Sequence, residues 1–167
     1  GFTKSKLFED LGISRVNSEL KMKNNDINIM EFLKIGDYKI AKDRMYLSSH
    51  EWVLDNQDGT YTMGISDYAQ KMLKEISYVQ FEDEGDEFDK EDIVCVVEAL
   101  KATGDIYAPF DCELVANNEE LEDDPEIISD SPYEGGWLVK IKKMADDNDM
   151  ISAEEYLKVI EAELNDF

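Results

Sequence analysis

The segment Val97-Glu98-Ala99-Leu100-Lys101-Ala102-Thr103-Gly104-Asp105-Ile106-Tyr107-Ala108-Pro109 constrains this chain more than any other. Before it runs Ile93-Val94-Cys95-Val96-Val97, which is β-branched and apolar without a helical period, so it reads as a buried strand. After it, Asp105 to Ala108 reads as a second, shorter strand closed by Pro109. Lys101 therefore stands on a tight bend between two strands, its backbone fixed and its ε-amine in water. A lysine that tethers a cofactor on a mobile arm needs that combination. An ordinary surface hairpin would look the same, and these residues alone leave both readings open.

The rest of the chain supplies further short strands. Glu51 to Asp55 and Thr60 to Ile65 flank Asn56-Gln57-Asp58-Gly59, whose Asp-Gly pair is a hairpin signal. Ser66 is placed to cap a short helix through Leu73, with Ala69, Met72, Leu73 and Ile76 as its apolar side. Strands are expected over 78–81, 112–116 and 137–141, and the acidic stretch 82–92 reads as a solvated loop. Pro125 marks a helix start, and Gly135-Gly136 breaks the chain before Trp137, which is expected as a core anchor. Ser152 with Glu155 forms a capping box for a last helix, with Ala153, Tyr156, Leu157, Ile160 and Leu164 on one face. The expected fold is mainly β with added helices: a flattened β-barrel or sandwich with a C-terminal helix packed on the sheet.

Charge divides the chain at residue 44. Residues 1–44 hold nine basic and seven acidic side chains, a net +2, whereas 45–167 hold eight and 33, a net −25. The first part carries short helical signals at Ser5–Leu11 and Ile29–Leu33 and reads as an N-terminal extension, in part disordered; the second reads as the globular domain. The seven acids of residues 1–44 do not suit a mitochondrial transit peptide. An overall net charge of −23 argues against nucleic acid and anionic membrane surfaces as partners, since phosphate contact needs clustered cations. It favours steering toward basic surfaces. With two separated cysteines and one histidine there is no zinc framework, so no metal site is expected. No nucleotide loop, metal cluster or nucleophile elbow stands out, which leaves an enzyme as the weakest reading.

Four motifs, in order, carry a resemblance. Ser49-His50-Glu51-Trp52-Val53, Gly64-Ile65-Ser66-Asp67-Tyr68-Ala69-Gln70, the lysine hairpin, and Ser131-Pro132-Tyr133-Glu134-Gly135-Gly136-Trp137-Leu138-Val139-Lys140-Ile141 together resemble the H protein family of the glycine cleavage system. The resemblance covers residues 45 to about 163. Leu100 and Ala102 flank the lysine where biotinyl carriers usually have methionines, which favours the lipoyl side of the superfamily.

The resemblance implies a non-catalytic carrier with lipoate attached covalently to Lys101. It implies exchange with glycine decarboxylase, aminomethyltransferase and dihydrolipoamide dehydrogenase, and modification by a lipoate ligase or lipoyl transferase. Glu98, three residues before the lysine, would help the attaching enzyme choose it. Glu51 and Asp105 match acids that hold the amine of the loaded arm in a cleft, and Tyr68 stands where some members have His. Ala99 and Gly104 replace serines common in the family. His50 reads as structural or cleft-lining. Two alternatives are a lipoate-relay protein serving other lipoyl domains, and an unmodified acidic interaction module. The family and the unusual N-terminal segment imply a mitochondrial matrix location with the targeting peptide absent.

Overall fold

A computed structural model describes residues 13–23, 26–146 and 149–166, with side chains from residue 30 onward. The strands are β1 (Ile13–Lys23), β2 (Asp26–Ile35), β3 (Tyr38–Ala41), β4 (Met45–Tyr46), β5 (Glu51–Asp55), β6 (Thr60–Ile65), β7 (Ile76–Phe81), β8 (Glu87–Phe88), β9 (Ile93–Ala99), β10 (Thr103–Tyr107), β11 (Cys112–Asn117) and β12 (Val139–Lys143). The helices are α1 (Asp67–Leu73), α2 (Glu120–Asp123), α3 (Ile127–Asp130) and α4 (Ala153–Leu164).

The strands form three open antiparallel sheets, in the orders β1-β2-β3, β10-β9-β7 and β4-β5-β6-β12-β11-β8. The six-stranded sheet lies between two apolar cores. Alternation along β5 shows this: Val53 enters one core, while Trp52 and Leu54 enter the other. The first core joins that sheet to β7, β9 and β10 through Met63, Val79, Val97, Ile106 and Leu114. The second joins it to β2, β3 and α4 through Phe32, Leu33, Ile40, Trp52, Tyr156 and Ile160. The expected flattened β-sandwich with a C-terminal helix is the observed one; among the described residues no barrel closes.

Local signals placed several elements correctly. Asp58 accepts the Thr60 N–H at 2.9 Å, and Gly59 takes a φ of +89°, which tightens the β5–β6 hairpin. Ser66 accepts the Ala69 N–H at 3.1 Å to start α1. Ser152 and Glu155 exchange both bonds of the capping box at the head of α4.

Other expectations failed for tertiary reasons. Ile29–Leu33 is part of strand β2, because pairing with β1 and β3 overrides a short helical signal. The signal at Ser5–Leu11 lies outside the described residues. Packing runs across residue 44: Met30, Phe32, Leu33, Ile40 and Ala41 share a core with Tyr46 and Trp52. The expected apolar side of α1 holds at Ala69, Leu73 and Ile76, which meet the first core, but Met72 is 54% exposed. The helix also buries Asp67, Tyr68 and Gln70, because β3 covers the face that carries them. On α4 the expected face holds at Ala153, Tyr156, Leu157 and Ile160, but Leu164 lies beyond the sheet and is exposed. Trp137 is only half-buried; Trp52 is the fully buried indole.

Candidate functional site: the lysine hairpin and the two ends of β10

Strands β9 and β10 pair from Thr103 opposite Glu98 to Ile106 opposite Cys95. The Ala99 N–H donates to the Ala102 carbonyl at 2.8 Å and closes the turn, while the Leu100 N–H donates to the Glu75 carbonyl at 3.0 Å and ties the tip to the segment before β7. Leu100, Lys101 and Ala102 are all exposed. The pedestal is therefore hydrogen-bonded on both sides and the lysine side chain reaches solvent. Small residues at Ala99 and Gly104 serve this packing. A Cβ at Gly104 would stand 3.3 Å from Leu73 Cδ1, so α1 rests directly against the hairpin.

A cavity opens at each end of β10. The one at the lysine end has a volume of about 310 Å³ and is lined by Met72, Leu73, Lys74, Glu75, Leu100, Lys101 and Ala102. The one at the far end, about 600 Å³, is lined by Ser48, Ser49, Lys90, Tyr107, Pro109 and Asp149 among others. Glu51 lies behind this second cavity. Its carboxylate is fully buried and accepts the Ser49 hydroxyl at 2.5 Å and the Tyr107 N–H at 2.8 Å. The bond from Tyr107 fastens the start of β5 to the end of β10, and the bond from Ser49 braces the turn before β5.

Burial holds the Glu51 carboxyl above its ordinary pKa, opposed by the bonds from Ser49 and Tyr107. A raised native pKa means the ionised form is the disfavoured one. Glu51 thus costs nothing below the unfolded carboxyl range and removes stability as pH climbs through the raised value. Glu51→Gln can keep both bonds, with its carbonyl toward Tyr107 and its amide toward Ser49. Thermal melts between acid and neutral pH should show the wild type losing stability relative to this variant as pH rises. Parallel curves would show that Glu51 does not titrate between the two states.

The other expected site residues are distributed. Glu98 is half-buried on β9, between Thr103 on one neighbouring strand and Tyr78 on the other. Asp105 is exposed on β10, opposite Val96. Tyr68 lines neither cavity. It is 4% exposed, with Tyr38 edge-on at 4.9 Å and His50 at 5.0 Å between ring centroids. Burial, and then the nearby Glu163 carboxylate, push its phenol pKa upward. His50, in the turn before β5, ties that turn to α4: Nδ1 lies 2.7 Å from the Tyr156 hydroxyl and Nε2 3.0 Å from Glu163 Oε1. Tyr156 in turn meets Ser66 Oγ at 2.6 Å.

Sequence reasoning passed over Ser49, Tyr107 and Tyr38. Ser49 could have been found from its place two residues before Glu51. The other two meet the site only through tertiary packing. Cys95 and Cys112 are buried reduced thiols, both pushed up to about 12 by desolvation, so neither offers a thiolate at neutral pH.

The chain is similar in sequence and in fold to known proteins. The family model described as "Glycine cleavage H-protein" matches residues 44–163. A glycine cleavage system H protein of Vibrio atlanticus is 50% identical over 119 residues, covering 70% of this chain and 94% of that relative. One from Ruthia magnifica is 43% identical over 123 residues, covering 74% and 98%. A crystal structure of a glycine cleavage system H protein from Mycobacterium marinum aligns with a TM-score of 0.65 at 30% identity, over 70% of this chain and 95% of that one. The Vibrio and Ruthia relatives are bacterial, and bacteria have no mitochondria; the expected matrix location is therefore overturned. With a family model over most of its length and relatives at this identity, the chain belongs to the glycine cleavage H-protein family.

Proposed function

We propose that this chain is a lipoylated, non-catalytic carrier that takes an aminomethyl group and reducing equivalents between glycine decarboxylase, aminomethyltransferase and dihydrolipoamide dehydrogenase. The observation that carries the reading is the exposed Lys101 on a doubly braced turn, with an apolar-walled cavity at its foot. Those residues fit the group: the amine is free to be acylated, and Met72, Leu73 and Leu100 offer contact to a hydrocarbon arm. When bound there, a lipoyl amide supplies a cyclic disulfide that accepts the one-carbon unit and electrons by thiol–disulfide chemistry.

The protein's own residues do the positioning. Glu98, at the strand end beside the turn, is the contact through which a lipoate ligase or lipoyl transferase selects the lysine. Glu51, beside the far end of β10, and Asp105, exposed at the middle of that strand, supply carboxylates for a cationic amine. Ser49 already occupies one oxygen of Glu51, so the amine replaces the hydroxyl as its donor. Tethering raises the effective concentration of the carried group at each enzyme, and the net charge of −23 steers the chain toward basic docking faces.

The test is loading of the lipoylated chain with carbon from labelled glycine by glycine decarboxylase, followed by the decay of the label. Glu51→Ala and Asp105→Asn should load and then lose label faster, by about tenfold for loss of one charge-assisted hydrogen bond. Unchanged lifetimes in both variants would remove these acids from the site. A chain that gains lipoate, never loads, and passes lipoate to other lipoyl domains would be a relay. One that gains no lipoate beside a working control would be an acidic interaction module.

A further inference from the structure

The family match begins at residue 44, yet residues before it grip the helix that walls the cavity at Lys101. Asp67, at the start of α1, accepts the Lys39 N–H at 3.0 Å. The Lys71 ammonium, one turn on, donates to the Asp37 carbonyl at 2.6 Å. Tyr133 completes the clasp by donating its hydroxyl to the Lys39 carbonyl at 2.6 Å. Tyr38 lies edge-on to Tyr68, the ring at the second position of the helix.

The other end of α1 is the cavity wall. Met72 and Leu73 line it opposite Leu100, and Leu73 is in contact range of the Gly104 backbone. The helix has seven residues, about 10 Å of rigid rod. It is wedged between the two cores, with Tyr68 in one and Ala69 and Leu73 against the other. A shift imposed at Asp67 and Tyr68 is therefore delivered at Met72 and Leu73. Met72 at 54% and Leu100 at 71% exposure are large apolar side chains that a hydrocarbon arm from Lys101 would cover.

We propose that β2 and β3 set the position of α1 as the wall of the arm groove, with Tyr38 as a positioning residue for retention of the lipoyl arm. This rests on the reading of Lys101 as the lipoylated lysine. It gives the segment preceding the family domain a task, holding the groove closed to the width of the arm.

The test uses the full lipoylated chain, reduced and labelled on the arm with a maleimide nitroxide. Cys95 and Cys112 are buried, so labelling is confined to the arm. Electron paramagnetic resonance then reads the ratio of immobile to mobile label. Tyr38→Ala should shift that ratio toward the mobile population by about twofold to tenfold, the range set by one edge-to-face aromatic pair. Tyr38→Phe keeps the ring and should restore the wild-type spectrum, which a change in global stability alone would not arrange. If Tyr38→Ala does not fold, Lys71→Met removes the bond to Asp37, together with the ion pair to Asp67, while keeping the stem, and should mobilise the label likewise. Folded, lipoylated Tyr38→Ala or Lys71→Met with an unchanged spectrum would overturn the proposal. A chain whose intact mass never gains lipoate would overturn the carrier reading itself, and mass spectrometry separates the two failures.

Discussion

Lys101→Arg should abolish the lipoyl mass gain and all decarboxylase-dependent loading, while leaving the melting curve unchanged. The guanidinium stays protonated and is not acylated by lipoate-attaching enzymes, so no arm can form. Stability should be indifferent because Lys101 is exposed at the tip, and the turn is closed by backbone bonds from Ala99 and Leu100 that no side chain supplies. Surface changes of this kind fall within about 0.5 kcal/mol. Intact mass, peptide mapping and a thermal melt check all three points. Lys74 is the control within the molecule, since it lines the same cavity. Lipoate appearing on Lys74 in the variant would show that the cavity, rather than the hairpin, chooses the lysine. A folded variant that still loads would sink the assignment of Lys101.

The largest effect on stability should come from one methyl group. A Cβ at Gly64 would stand 2.5 Å from both Cε2 and Cζ2 of Trp52, well inside any real contact. The indole has no retreat. It is 1% exposed, its Nε1 donates to the Pro132 carbonyl at 2.9 Å, and the Arg44 guanidinium lies 4.5 Å over its ring. Arg44 is itself fixed by its bond to the Tyr133 carbonyl at 2.9 Å. Gly64→Ala should therefore cost about 2 kcal/mol, the middle of the range for overpacked cores, and lower Tm by about 4–8 °C in a chain of this size. Adding Trp52→Phe, which removes the clashing second ring, should recover part of the loss, a coupling that a double-mutant cycle measures. Since Trp52 and Glu51 are neighbours on β5, Gly64→Ala should also disturb the bonds from Ser49 and Tyr107. An unchanged Tm would mean that the sheet opens at β5–β6 more easily than its pairing implies.

Legibility followed the range of the forces involved. The β9–β10 hairpin, the Asp58-Gly59 turn, the Ser66 cap and the Ser152–Glu155 box are settled within a few residues, so apolar runs and capping chemistry reveal them. Lys101 is legible for the same reason: a lysine on a tight turn between two apolar strands is exposed wherever that hairpin packs. Its family was legible because four motifs keep their order along the chain. Location was misjudged because an unusual N-terminal segment carries no physical address.

What the sequence by itself determined is a β-rich chain with a presented lysine and a strongly acidic body, since strand periodicity, turn chemistry and charge are local or additive properties. Only the tertiary structure decided that Ile29–Leu33 is strand and that α1 buries Asp67 and Gln70 on a second face. It alone shut Tyr68 beneath Tyr38 and His50, and closed Glu51 behind Ser49 and Tyr107. Each of these depends on which distant strand or ring comes to face it: Tyr107 meets Glu51 from 56 positions away, and Tyr133 meets Asp67 from 66. No local window contains that pairing, because burial and polar satisfaction are fixed only once the sheets have packed.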